Sequence, residues 1–151
     1  MSVVRFDDER RSAARWIPTS DVVRCGTATD SVTLVVNDGI LDIRLEHEPR
    51  GEDLVRCLQR ALDAGLMKYS MPTLVDLTNF RGQIDWSAIY AVQRMAPWGT
   101  GARGQSRVAY VSRDSMFKLV MKLIVGLFPY ARHRLFADEP EARDWLASHR
   151  V

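Results

Sequence analysis

Three polar residues in the middle of the chain, Asp76, Asp85 and Ser87, could take part in chemistry or recognition. Asp76 stands inside an apolar, strand-like run, where a carboxylate needs either a partner or a site at the carboxyl end of the strand. The alternatives for Asp76 are structural hydrogen bonding to a neighbouring loop and a place in a functional crevice. Asp85 precedes a predicted helix, so we expect it to cap that helix, with Ser87 in the first turn. Free amides and the helix dipole would favour a phosphate on Ser87, and the alternative is a serine merely tolerated there.

The other reactive side chains show no catalytic or metal-binding pattern. No nucleophile elbow exposes Ser87 as the serine of a Ser-His-Asp site with His133. The cysteines and histidines do not cluster as zinc ligands do. We therefore assign no catalytic residue, no metal site and no cofactor. The histidines have neither ligand nor triad spacing, and they are His47, His133 and His149.

A glycine-rich stretch at residues 99–104 matches the pattern G-x-G-x-x-G. A dinucleotide-binding fingerprint follows a strand and opens a helix, so that the pyrophosphate meets the helix N-terminus. Here the glycines follow a predicted helix and precede a predicted strand. The order predicts a flexible connector, with an anion contact through Arg103 as the alternative.

The composition is typical of one folded domain. The chain has 151 residues, of which 46% are apolar and 26% charged. Its 21 basic and 19 acidic side chains are spread along the chain and give a net charge of +2, so we expect no nucleic-acid partner. No segment is long and apolar enough to span a bilayer, and the start of the chain lacks the apolar core of a secretory signal. Because Cys57 shares an apolar helical stripe, we expect it in the core and place the protein in the reducing cytoplasm.

The predicted elements begin with a hairpin and a helix. Two β-rich runs, at 32–36 and 40–45, flank a turn of Asn, Asp and Gly, which predicts an antiparallel hairpin. Residues 52–64 have the apolar spacing of one helical face, and Gly65 follows where a left-handed cap is expected. The first thirty residues show no clear pattern.

The rest of the chain alternates helices with strands. The runs at 73–77 and 107–111 are nearly continuous in apolar residues, as in parallel strands covered on both faces. A more polar run at 132–136 suits an edge strand. Asp138 should cap the last helix, with Glu141 returning a reciprocal bond.

This order predicts an α/β fold in a single domain. We expect a mixed, mostly parallel β-sheet with an N-terminal antiparallel hairpin and about four helices. The domain should cover residues 31–151, and residues 1–30 form an N-terminal segment of uncertain structure.

The segment at 114–129 has more apolar surface than a helix on a sheet needs to bury. Burial within the domain, a dimer surface, and contact with an apolar ligand or a membrane are the alternatives. The residues that we expect to form this apolar ligand or dimer surface are Met116, Phe117, Val120, Ile124 and Phe128.

The order of elements over about residues 30–148 resembles the SpoIIAA-like family, the STAS/Sec14-type domains of bacteria. The resemblance is carried by Leu74-Val75-Asp76-Leu77, Ile84 to Ala88, Arg107-Val108-Ala109, Arg134-Leu135-Phe136 and Glu141 to Leu146. It implies a mixed sheet with packed helices, a cytoplasmic location and no established enzymatic activity.

Related anti-sigma-factor antagonists have a D-S-S-G-L-type motif at a helix start, and a kinase phosphorylates the hydroxyl residue before the glycine. The resemblance places Asp85 and Ser87 at the acid and phosphoacceptor positions of that motif. Trp86 and Ala88 depart from it, at the first hydroxyl residue and at the glycine respectively.

Three functions remain open from the sequence. The first is a non-enzymatic regulatory or interaction module that binds a protein partner near Ser87 and the loop from Phe80 to Gln83 and forms a homodimer. The second is a carrier or sensor of a small apolar, lipid-like molecule beneath the segment at 114–129, as the Sec14-like side of the resemblance implies. The least favoured is a hydrolase built on Asp76, Asp85 and Ser87.

Overall fold

The computed structural model describes residues 22–68, 71–95 and 106–148. The glycine-rich stretch at 99–104 lies outside the described residues. The described elements, in chain order, are β1 (Val22–Gly26), β2 (Ser31–Asn37), β3 (Ile40–Glu46), α1 (Gly51–Asp63), β4 (Thr73–Asp76), α2 (Trp86–Met95), β5 (Arg107–Val111), α3 (Phe117–Leu127), β6 (Arg132–Phe136) and α4 (Glu139–Ala147).

The strands form one six-stranded sheet in the order of the chain. Strands β1, β2 and β3 pair antiparallel, and β3 to β6 pair parallel. This arrangement, with its four described helices, confirms the predicted mixed, mostly parallel α/β fold. Strand β1 is an addition to the predicted elements, and the division of the chain at residue 30 stays a prediction.

The turns that were predicted from residue type are present. Asp38 and Gly39, between β2 and β3, have φ angles of 52° and 76°, as a two-residue hairpin turn requires. Gly65 follows α1 with a φ angle of 75°, a left-handed conformation that glycine adopts without steric cost.

The start of α4 differs from the prediction. Asp138 stands at the N-cap position, but its side chain makes no capping hydrogen bond. Instead its carboxylate pairs with Arg113, at 3.3 Å from a guanidinium nitrogen. The Arg113 guanidinium competes with the free amides of the helix for this carboxylate oxygen, and the predicted capping bond of Asp138 is absent.

The helices cover the sheet unequally. Successive side chains of a strand point to opposite faces, so Val108 and Tyr110 of β5 join one core cluster and Ala109 joins the other. The larger cluster includes buried residues of α1, α2 and α3. The smaller one packs on α4 through Ala142 and Leu146. The sheet therefore has a three-helix face and an α4 face.

Candidate functional site

The start of α2 is held by a short hydrogen-bond cluster around Asp85. The Oδ1 atom of Asp85 accepts hydrogen bonds from the backbone N–H groups of Ser87, at 3.1 Å, and Ala88, at 3.3 Å. The Oγ of Ser87 donates to the same oxygen at 2.6 Å. The hydroxyl of Ser87, followed by the amide of Ala88, holds the pKa of Asp85 below its ordinary value. Asp85 is the expected cap, and Ser87 is exposed in the first turn.

The start of α1 packs directly against this cluster. A Cβ atom on Gly51 would overlap the Asp85 carboxylate and the side chain of Ala88. Only a residue without a side chain lets the two helix starts approach so closely. Sequence reasoning missed this contact, because nothing local to Gly51 indicates a partner 34 residues away.

A surface groove runs between α1 and α2 beside Ser87. Its charged members on α1 and just before its start are already paired, because Arg50 contacts Glu52 and Arg56 lies 3.6 Å from the Asp53 carboxylate. Apart from the polar Gln59 and Asp85, the other residues of the groove are small or apolar. The groove is lined by Arg50, Gly51, Glu52, Val55, Arg56, Gln59, Asp85, Ser87, Ala88 and Ala91.

Asp76 lies on the α4 face of the sheet, opposite the three-helix face where α2 begins. Its neighbours Val75 and Leu77 line a cavity on the three-helix face, so its own side chain points toward α4. The Oδ1 of Asp76 accepts hydrogen bonds from the backbone and hydroxyl of Thr78, at 3.0 and 2.6 Å, and Oδ2 lies 3.2 Å from Arg44 Nε. These contacts are of the kind expected from the first alternative for Asp76, structural hydrogen bonding to a neighbouring loop. The structure does not bring Asp76 together with Asp85 and Ser87.

The Arg44 contact extends into a network of charges beneath α4. Arg44 reaches Glu139 at 3.6 Å, and Arg143 binds both Glu139 and Asp42 at 2.7 Å. One carboxylate oxygen of Asp42 is buried without a hydrogen-bond partner among the described residues. Burial raises the pKa of Asp42 and outweighs the opposing effect of Arg143. The network ties α4 to strands β3 and β4.

An apolar cavity of about 140 Å³ lies between the sheet and the helices α1, α2 and α3. The exposed residues of its lining are Arg50, Gln83 and Asp85. Its mouth therefore opens next to the helix starts that hold Ser87. The mouth is also near the carboxyl end of β4, where open α/β sheets commonly bind ligands.

The structure divides the five candidate residues of the 114–129 segment between the interior and the surface. Phe117, Ile124 and Phe128 line the cavity, and Val120 is half-buried. Met116 is 62% exposed and is joined on the surface by Leu119 and Leu123, at 56% and 62%. We call these three residues the α3 stripe.

A polar pair, Tyr110 and His133, interrupts the apolar lining of the cavity. The Tyr110 hydroxyl lies 2.9 Å from His133 Nδ1, and His133 Nε2 lies 3.0 Å from the carbonyl oxygen of Phe128. Burial lowers the pKa of His133 and favours the neutral ring. Both ring nitrogens are occupied, so His133 does not serve Ser87 as a base. The inward position of His133 could have been predicted from the alternation of side chains along β6. Arg132 and Arg134 are exposed, so His133 between them points to the opposite face of the sheet.

Within residues 22–68, 71–95 and 106–148, no three His, Cys, Asp or Glu side chains are grouped to hold a metal ion. No helix in the same ranges has the length and apolar character needed to cross a membrane.

Comparisons with known proteins agree with the fold. The chain is similar to a crystal structure of an uncharacterized protein from the DUF3478 family with a SpoIIAA-like fold, from Shewanella loihica PV-4. The two share 18% sequence identity over 83% of this chain and 91% of that chain, with a TM-score of 0.51. No curated protein matches the chain. The SpoIIAA-like family model matches residues 40–147, and the chain therefore belongs to the SpoIIAA-like family.

Proposed function

We propose that this protein is a non-enzymatic regulatory module that binds a protein partner at the α1–α2 groove beside Ser87. The observation that carries the proposal is the exposed Ser87 hydroxyl, fixed by Asp85 at 2.6 Å on the edge of that groove. Membership of the SpoIIAA-like family supports it. The two free cysteines, both buried, support a cytoplasmic location.

The groove has the chemistry of a recognition surface. Ala88 and Ala91 are small, so a partner side chain can enter between the helices. Val55 adds apolar area, and the paired charges of Arg50 and Arg56 surround it with polar groups. An apolar centre with a polar surround is the usual anatomy of a protein interface.

A phosphate on Ser87 would act as a switch through Asp85. The hydroxyl that now donates to Asp85 would be replaced by a group carrying about −1.5 to −2 charges beside a carboxylate. Repulsion between the two anions would break the cap, although the helix dipole favours the added charge. Because Asp85 also packs on Gly51, the change would alter the geometry of the groove.

Site-specific cross-linking tests the location of the partner surface. A photo-reactive residue at position 91 in the groove should join the partner covalently when the protein is expressed in its own host. The same residue at Lys118, which is exposed on α3, is the matched control. Equal yields of the same adduct from both positions would refute the groove as the partner surface.

The homodimer is also a proposal, with the α3 stripe as its surface. Met116, Leu119 and Leu123 recur at helical spacing and carry no charge, so two copies related by a two-fold axis can bury the same stripe against each other. Lys118 and Lys122 occupy the opposite flank of α3 and stay in solvent.

The cavity supports a second candidate function, a carrier or sensor of a small apolar molecule. Its volume is close to that of an engineered cavity of about 150 Å³ that binds benzene. A lipid with a long acyl chain needs more room. The ligand of this function is therefore a compact apolar molecule, and its mouth beside Asp85 would place ligand binding next to the partner surface.

A further inference from the structure

The hydrogen-bond pattern of Tyr110 and His133 fixes which atoms carry protons. The carbonyl oxygen of Phe128 can only accept, so His133 Nε2, at 3.0 Å, is the donor of that bond. In the neutral ring Nδ1 then carries no proton and acts as an acceptor. Tyr110 must therefore donate its hydroxyl proton to Nδ1, at 2.9 Å.

This assignment determines what Tyr110 can offer to a ligand. Its only hydroxyl proton is committed to His133, whereas the lone pairs of its oxygen remain. A ligand can be recognised here by an O–H or N–H group that donates to the Tyr110 oxygen. A carbonyl or ether oxygen would meet no donor at this position and would lose its hydration without compensation.

The rest of the lining selects against charge and favours a ring. The charged residues that line the cavity are Arg50 and Asp85, both at the mouth. Aromatic groups surround the polar pair, because Phe117 lies 5.7 Å from Tyr110 and Phe128 lies 6.4 Å from His133, measured between ring centroids. Such spacings suit aromatic contacts with a further ring.

We propose that the cavity binds a small, uncharged aromatic molecule with one hydrogen-bond donor, of the size and class of phenol, and that the Tyr110 oxygen accepts that donor. The inference rests on the carrier function proposed above and names its ligand class. Tyr110 and His133 are the specificity-determining residues of the site.

The test compares three probes on the full chain by NMR titration: phenol, benzene and benzaldehyde. Phenol should bind about tenfold more tightly than benzene, the gain of one buried hydrogen bond. Benzaldehyde, which only accepts, should bind no better than benzene. The largest shifts should occur at Tyr110, His133 and their neighbours.

Two variants complete the test. Replacing both Tyr110→Phe and His133→Leu removes every acceptor of the pair and should abolish the preference for phenol, while benzene binding shows that the cavity is still formed. Tyr90→Phe removes the hydroxyl of an exposed tyrosine on α2 and should leave the preference unchanged.

The outcomes separate the inference from the function on which it rests. Equal binding of phenol and benzene by the wild-type protein, or stronger binding of benzaldehyde, would overturn the donor specificity and leave the carrier function standing. Failure of all three probes to bind would overturn both.

Discussion

The carboxylate of Asp85 lies directly against Gly51, and this contact joins the starts of α1 and α2. Asp85 thereby caps one helix, fixes the Ser87 hydroxyl and packs on a second helix. The groove beside Ser87 and the mouth of the cavity both depend on this contact, because Gly51 and Asp85 line each of them.

Replacing Gly51→Ala should therefore destabilise the fold. The added methyl group overlaps the Asp85 carboxylate and the Ala88 side chain, so the helices must separate, at a cost of about 1–3 kcal/mol. Urea denaturation measures the change. Gly126→Ala is the matched control, since its added methyl group meets no described atom within 4 Å apart from its chain neighbours and the backbone of its own helix. Gly126 lies in the last turn of α3, where alanine in place of glycine should stabilise the protein by up to about 1 kcal/mol. A Gly51→Ala protein as stable as wild type would contradict the close approach.

Arg143→Leu should destabilise the protein in a pH-dependent manner. The change leaves the Asp42 carboxylate half-buried without its cation, which costs about 1–3 kcal/mol at neutral pH. The pKa of Asp42 is already raised by burial, so its protonated form favours folding. This contribution of Asp42 to the free energy of unfolding is fully present at a pH below the ordinary pKa of an aspartate. It is lost as the pH rises through the raised pKa of Asp42 in the folded protein.

The defect of Arg143→Leu should accordingly shrink as pH falls from neutral toward the ordinary range of an aspartate. Adding Asp42→Asn should recover part of the stability at neutral pH, since an amide needs no cation. Chemical denaturation of the wild type, the two single variants and the double variant measures the coupling energy between Asp42 and Arg143. A loss that is the same at every pH would show that Asp42 is not the group responsible.

The α3 stripe should control self-association. Changing Leu119 and Leu123 to Lys places charges on the proposed dimer surface, and a dimer should become a monomer in sedimentation equilibrium. Val125→Lys is the control, because Val125 is 38% exposed on the other flank of α3. A wild-type monomer, or a dimer that survives both leucine changes, would contradict this surface.

The thiol of Cys57 should be unreactive in the folded protein. Burial in the core raises the pKa of Cys57 to about 12, so almost no thiolate is present at pH 8. A disulfide reagent should modify it only as fast as the protein unfolds. The measurement uses the Cys25→Ser variant, so that Cys57 is the thiol that reacts. Rapid modification of this variant under native conditions would show that α1 does not hold Cys57 in the core.

The fold could be predicted because each of its main elements has a recognisable pattern of residues within its own segment of the sequence. The apolar runs of β4 and β5 and the stripe of α1 follow from side-chain period alone, and the hairpin follows from its turn residues. The N-cap by Asp85 is local as well. The cap at Asp138 failed as a prediction because its competitor, Arg113, lies 25 residues away in the chain.

The candidate site was less predictable because its contacts are distant in sequence. Gly51 meets Asp85, and Tyr110 meets His133 across two neighbouring strands. The separation of the two residues along the sequence predicts neither contact. The sequence also grouped Asp76 with Asp85 and Ser87, whereas the alternation of β4 sends Asp76 to the α4 face.

The most direct test of the regulatory function is native mass spectrometry of the protein purified gently from its own host. We predict that the wild-type protein and Ser115→Asp, an exposed serine before α3, carry an additional polypeptide that denaturation releases. Ser87→Asp should carry none, because the negative charge beside Asp85 breaks the cap and alters the groove. Identical bound mass on Ser87→Asp and wild type, or no bound polypeptide on either, would contradict a partner surface at Ser87.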